Sequence, residues 1–324
     1  MMVKRSMFVA LATILLGSLA AAPGAWAQEF PSKPIRIVLP YVGGTDFVAR
    51  WLAGKLPASL GQQIIVDPRL GASGNIGHDY VKRAAPDGYT LMLGAPPWVV
   101  NPYLFVNSGY TVERDFTPIA LVATLPNMLV VHPSVPAKTL RELVQLARSN
   151  PGKLNYGAGP SGTTGHLAGE LFKSVAKINI VSVPYKGASF ALVGALGGEV
   201  DVVIPSVSSV EAFVKDKRMR ALAVLDTKRV ESMPDVPTTA EAGMPEFLIV
   251  NWYVLAGPAG LPRAIVDRMN AEVNKVMQMA DTRKQFMNIG GEPVVSTPEQ
   301  AAKFLREDSQ RWGKVIRDAK IKAE

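Results

Sequence analysis

The stretch Ile35-Arg36-Ile37-Val38-Leu39-Pro40-Tyr41-Val42-Gly43-Gly44-Thr45-Asp46 sets the architecture. Its apolar run, broken only by Arg36, reads as a buried strand. Gly43-Gly44 turns the chain, and Thr45 or Asp46 supplies an N-cap for a helix over Phe47–Leu60. Gly61 ends that helix and Gln63–Val66 is the next strand. Asn75–Ala84 reads as a helix stopped by Pro86-Asp87-Gly88, before a third strand over Thr90–Leu93. This alternation predicts an α/β fold: a parallel sheet with helices on both faces.

The alternation resumes after two strands near Ile119–Val122 and Met128–Val131. Thr139-Leu140-Arg141-Glu142 is a capping box. Strands near Leu154–Tyr156, Ile180–Val183, Val200–Ile204 and Ala221–Leu225 then alternate with helices over Thr164–Val175, Phe190–Leu196 and Val207–Lys215. A strand over Asn251–Leu255 leads into helices from Arg263 and Ala280, and a last one opened by Thr297 with Pro298 at its first position. The expected organisation is two parallel-sheet α/β domains, residues 28–126 plus 251–324 and residues 127–250. A ligand cleft between them would lie at the C-terminal ends of the strands.

Upstream, Lys4 and Arg5 precede an apolar run over Met7–Leu19, and Ala25-Trp26-Ala27 follows. That is the pattern of a cleavable secretory signal peptide, Met1–Ala27, and implies a periplasmic chain. The run is short of the roughly 20 apolar residues that span a bilayer. The 324 residues are 48% hydrophobic and contain no cysteine, which excludes disorder, disulfides and thiolate chemistry. Three histidines, His78, His132 and His166, leave little for a metal site, and no cofactor is expected. The formal charge of +8 comes from dispersed basic residues, which argues against nucleic acid as a partner.

Gly157-Ala158-Gly159-Pro160-Ser161-Gly162 matches a dinucleotide-binding turn, but that site needs an acidic residue about 20 positions on. No Asp or Glu lies between Glu170 and Glu199. What remains is a glycine-rich turn at a helix start, whose N–H groups attract an anion. Ser161, Thr163 and Thr164 add hydroxyls there. A serine-hydrolase elbow needs a final glycine that both Gly71-Ala72-Ser73-Gly74-Asn75 and Gly187-Ala188-Ser189-Phe190-Ala191 lack. Tyr41, Trp98, Tyr185 and Trp252 lie at strand ends, where aromatic side chains wall pockets or simply pack.

A longer series of motifs runs from Pro31 to the C-terminus. It includes Pro31-Ser32-Lys33-Pro34-Ile35-Arg36, Gly43-Gly44-Thr45-Asp46 with Ala49-Arg50, Gly74-Asn75-Ile76-Gly77 and Ala84-Ala85-Pro86-Asp87-Gly88-Tyr89-Thr90-Leu91. It continues with Pro151-Gly152-Lys153-Leu154-Asn155-Tyr156, His166-Leu167-Ala168-Gly169-Glu170-Leu171-Phe172, Pro184-Tyr185-Lys186-Gly187, Gly197-Gly198-Glu199-Val200-Asp201 and Pro234-Asp235-Val236-Pro237-Thr238. With these the chain resembles the substrate-binding (Bug) receptors of tripartite tricarboxylate transporters, a family of periplasmic binding proteins.

The resemblance implies a two-domain flytrap of type II-like architecture that captures a small carboxylate and delivers it to membrane permease subunits, as a monomer and not as an enzyme. Its gripping loops correspond to Tyr41–Asp46 and Ala158–Thr164. The candidate ligand-binding set is therefore Tyr41, Gly43, Gly44, Thr45 and Asp46; Ala95 and Trp98; Ser161, Gly162, Thr163 and Thr164; and Tyr185, Pro205, Ser206 and Trp252. Two departures from the family pattern matter. Pro40-Tyr41-Val42-Gly43-Gly44 is shorter than the usual first loop, and Ala95-Pro96-Pro97-Trp98 replaces small polar residues. Both suggest a carboxylate carrying an aromatic ring, stacked on Trp98, Tyr41, Tyr185 or Trp252. A sensing receptor for a signalling partner and a periplasmic enzyme acting on a small acid are the rival readings.

Overall fold

Strand β1 (Ile35–Leu39) is buried except at Arg36, whose guanidinium donates to Asp67 at 2.7 Å. The computed structural model describes residues 30–41, 44–105 and 108–322, so the expected signal peptide and Gly43 lie outside the described residues. Helix α1 (Gly44–Lys55) and the short α2 (Pro57–Leu60) occupy the segment expected as one helix. The break falls at Pro57, which has no N–H to donate and suits a helix start. Strand β2 (Ile64–Pro68), helix α3 (Asn75–Lys82) and strand β3 (Thr90–Gly94) follow. Both β2 and β3 pair with β1 in parallel.

The Pro-rich segment expected as a loop is largely helix α4 (Pro97–Leu104). Pro97 takes the first turn, where no N–H is needed, and the helix buries Trp98, Val99, Val100 and Asn101. A short helix α5 (Val112–Asp115) leads into β4 (Phe116–Pro126), which runs into β5 (Met128–Val131) through Asn127 alone.

The second sheet is built from β5, α6 (Leu140–Ser149), β6 (Asn155–Ala158), α7 (Thr164–Ala176), β7 (Val181–Pro184), α8 (Ala188–Leu196), β8 (Val202–Val203), α9 (Val207–Lys215) and β9 (Arg220–Val224). The chain returns through β10 (Val250–Pro258) and ends with α10 (Arg263–Gln278), α11 (Ala280–Asn288), β11 (Glu292–Pro293) and α12 (Pro298–Asp318).

Strand order is β11-β4-β10-β3-β1-β2 in the first lobe and β7-β6-β8-β5-β9 in the second. Neither sheet is wholly parallel, which corrects the expectation. β10 lies antiparallel between β3 and β4, and β5 lies antiparallel between β8 and β9. The reason is connectivity. β4 carries the chain out of the first sheet and β10 brings it back, so adjacent outbound and returning strands must oppose each other.

Alternation along β1 distributes the core over both faces of the first sheet. Ile35, Ile37 and Leu39 pack with Leu52 of α1 and Met269 of α10. Val38 points the other way, into the cluster holding Trp98, Leu305 and Trp312. That cluster continues into the second lobe through Leu129, Phe172 and Phe247. At the periphery, Thr139 caps α6 by accepting from the Glu142 N–H, and Thr297 with Gln300 forms a reciprocal capping box on α12.

Candidate functional site

The turn between β6 and α7 is held by its own side chains. Gly162 sits at φ 83°, a conformation that favours glycine. The Thr163 hydroxyl donates to Pro160 O at 2.7 Å, and the Gly162 N–H points at Nδ1 of buried His166 at 3.4 Å. The Thr164 hydroxyl donates to Asn251 Oδ1 at 2.6 Å. Asn251 in turn donates to Asn127 Oδ1 at 2.9 Å, and Asn127 donates to Ile249 O at 3.2 Å. This turn is therefore anchored to both segments on which the chain crosses between lobes.

The turn also touches the first lobe. Ser73 Oγ donates to Ser161 O at 3.1 Å. A Cβ on Gly162 would lie 3.0 Å from Asn101 Oδ1 and 3.3 Å from Leu104 Cδ1, so this glycine permits the approach. Asn101 is fully buried, and its Nδ2 donates to Ser73 O at 2.8 Å and Asn75 Oδ1 at 2.9 Å.

Around the end of β1, the Tyr41 hydroxyl and His78 Nε2 lie 2.6 Å apart, and the Tyr41 ring lies against Gly74. Burial pulls the His78 pKa down to about 3 and pushes the Tyr41 hydroxyl upward. Gly44 abuts Tyr253, and Thr45 is buried. The Asp46 carboxylate accepts from Arg50 at 2.8 Å, which offsets a charge that would repel an anionic ligand.

On the second lobe, Pro205 O accepts from the Met128 N–H at 3.0 Å, and Ser206 bridges to Asn127. Neither Thr163 nor Ser206 caps its helix with its side chain, in contrast to Thr139 and Thr297. The starts of α7 and α9 thus reach the crossing segments without a capping bond from the side chain of Thr163 or Ser206. Together they form a partial positive charge suited to an anion.

The aromatic side chains do not join this arrangement. Trp98 has no exposed surface and meets Phe116 edge to face. Trp252 is buried, with Nε1 donating to Asp308 Oδ2 at 2.9 Å and its ring against Phe304. Tyr185 donates to Glu199 at 3.1 Å and packs on Gly194 within the second lobe. Trp98 and Trp252 are thus packed within the core, whereas Tyr185 stays part-exposed. Ala95 is buried, and its carbonyl accepts from the Trp98 N–H at 2.8 Å. Sequence reasoning missed Ser73, Asn101, Asn127 and Asn251. The Ser73-Gly74-Asn75 turn and the lone Asn127 between two apolar strands were the available signals.

A model of the tripartite tricarboxylate transporter family receptor matches residues 48–321. The chain belongs to this family. Its receptors are periplasmic binding proteins, a class of substrate-binding receptors. The receptor is 37% identical over 299 residues to the UPF0065 protein in the tcbD-tcbE intergenic region of Pseudomonas sp. (strain P51), covering 91% of this chain and 89% of the relative. Among solved structures it is similar to R. palustris Rpa4515 with adipate, at 33% identity and TM-score 0.83, covering 91% and 99% of the two chains. It is also similar to MatC from Rhodopseudomonas palustris with bound malate, at 30% identity and TM-score 0.77, covering 89% and 100%. Both of these relatives carry a bound carboxylate.

Proposed function

We propose that this receptor, exported by its N-terminal segment Met1–Ala27, closes two lobes on a small aliphatic dicarboxylate in the periplasm. It hands the unchanged ligand to membrane components of a tripartite transporter, acting as a monomer. Residues 28–126 plus 251–324 make one lobe and residues 127–250 the other. One observation carries the reading: the starts of α7 and α9, without side-chain N-caps, reach the crossing segments at the Thr164–Asn251 and Ser206–Asn127 contacts. Helix-start dipoles arranged this way bind an anion with no cationic side chain among the proposed contacts. The bound adipate and malate of the two relatives support a dicarboxylate. The buried positions of Trp98 and Trp252 favour an aliphatic chain over an aromatic ring.

The test is mass spectrometry of receptor prepared from periplasm, native and then denatured, followed by calorimetric titration with adipate, malate and phthalate. The expected result is a mature chain beginning at Gln28, an aliphatic diacid released unchanged, and binding of adipate or malate above phthalate. Chemical conversion of the added acid would overturn the receptor reading. Tightest binding of phthalate would overturn the aliphatic one.

A further inference from the structure

Three consecutive residues before α3 lie in the left-handed region: Ala72 at φ 47°, Ser73 at φ 52° and Gly74 at φ 90°. Of these only glycine adopts that region at no steric cost, so the turn needs support from its surroundings. The support matters because the Ser73 hydroxyl crosses to Ser161 O in the other lobe. Asn101 holds one side of the turn, donating to Ser73 O at 2.8 Å and Asn75 Oδ1 at 2.9 Å.

Tyr41 holds the other side. Its ring occupies the space where a Cβ on Gly74 would stand. The phenol is itself fixed at its far end, since its hydroxyl lies 2.6 Å from Nε2 of His78. His78 lies one helical turn beyond Gly74, the N-cap of α3, and has no exposed surface. Burial holds its pKa down to about 3, so the neutral ring pairs with the phenol as acceptor or donor. Pro40 seats on the same helix at Gly77, where an added Cβ would lie 3.0 Å from it. The end of β1 is thus docked along α3 at Gly74, Gly77 and His78.

We propose that Tyr41 is a positioning residue for lobe closure: bonded to His78, its ring clamps the Ala72–Gly74 turn in the left-handed form that carries Ser73 to Ser161. This role rests on the two-lobed closure proposed above. Tyr41 then acts on the ligand through Ser73 and not by touching it.

The chain has no cysteine, so Gly54→Cys on α1 and Gln145→Cys on α6, both exposed, take one spin label per lobe. Pulsed paramagnetic resonance then reads the interlobe distance, and calorimetry with adipate and malate reads affinity. Tyr41→Phe keeps the ring and removes the hydroxyl. The expected result is a free-receptor distance shifted to longer values, and diacid binding weakened by about threefold to tenfold. In a Ser73→Gly background, which lacks the crossing hydroxyl, Tyr41→Phe should change neither quantity further. It should still lower the urea midpoint in both backgrounds. Equal further losses of affinity and closure in that background overturn the clamp, as do unaltered distances and affinity in Tyr41→Phe alone. A loss of affinity with free-receptor distances unchanged returns the Tyr41 hydroxyl to ligand contact and overturns it too. If neither acid binds the parent, the diacid reading fails, and the free-receptor distances still decide the role of Tyr41.

Discussion

Ser73 of the first lobe donates its hydroxyl hydrogen to the carbonyl oxygen of Ser161 in the second lobe, at 3.1 Å. Ser73 sits at φ 52°, and Asn101 holds its carbonyl from behind at 2.8 Å. A left-handed backbone thus aims a short hydroxyl across the lobe boundary. Ser73→Gly suits the same backbone and removes only the hydroxyl. Ligand affinity is expected to fall by about 0.5–1.5 kcal/mol with the melting temperature retained. Stopped-flow release and calorimetry check this, and unchanged release would exclude Ser73 from closure.

Gly162→Ala adds a methyl group 3.0 Å from Asn101 Oδ1 at a residue with φ 83°. The lobes are then held apart at the turn. Dicarboxylate affinity should drop by about tenfold or more, a loss of about 1.4 kcal/mol. Small-angle scattering of the variant with saturating ligand should show a larger radius than the parent. Identical radii would show that this glycine does not govern closure.

Thr164→Val removes the hydroxyl that donates to Asn251 Oδ1 and leaves that oxygen without its 2.6 Å partner. The expected cost is about 1–3 kcal/mol of unfolding free energy. Thr164→Ser keeps the hydroxyl and should recover most of it. Urea denaturation of the pair provides the measurement.

His78 has its pKa lowered from 6.5 to about 3 by burial. Between those values the unfolded chain binds a proton that the folded chain does not. The residue's contribution to stability is therefore complete above pH 6.5 and falls as pH drops toward 3, by up to about 1.4 kcal/mol per pH unit. His78→Gln should show a shallower decline over that window in urea titrations at stepped pH. Parallel slopes would mean that His78 does not control acid stability.

Trp252→Phe removes the N–H that Asp308 accepts at 2.9 Å, although Arg311 still donates to the same carboxylate at 2.7 Å. Stability should fall by about 1–3 kcal/mol. Affinity for an aliphatic diacid should remain unchanged. A selective loss of phthalate binding would instead return this indole to the ligand site.

Much of the strand and helix order was legible because local chemistry set it. The β1 run, the capping residues Thr139 and Thr297, and the stop at Gly61 each act within a few residues. The turn at Gly162 was legible as a glycine-rich helix start for the same reason. Helix α4 was not, because Pro96-Pro97 announces a loop and a helix start equally well. The difference is made by where Trp98 and Asn101 are buried.

The sequence by itself determined the two-fold alternation of strands and helices, the glycine-rich turn before α7 and the membership carried by the ordered motifs. Tertiary structure alone decided the strand directions, since β5 and β10 take their orientation from neighbours far away in the chain. It also decided which polar groups meet. Thr164 finds Asn251, Asn251 finds Asn127, and Ser73 finds Ser161, each across a large sequence separation. Periodicity reports which face of an element is buried, not what lies on the other side of the interface. That is why the local sequence left open whether Trp98 and Trp252 wall a pocket or pack: their buried rings lie against Phe116 and Phe304, residues that no local pattern places beside them.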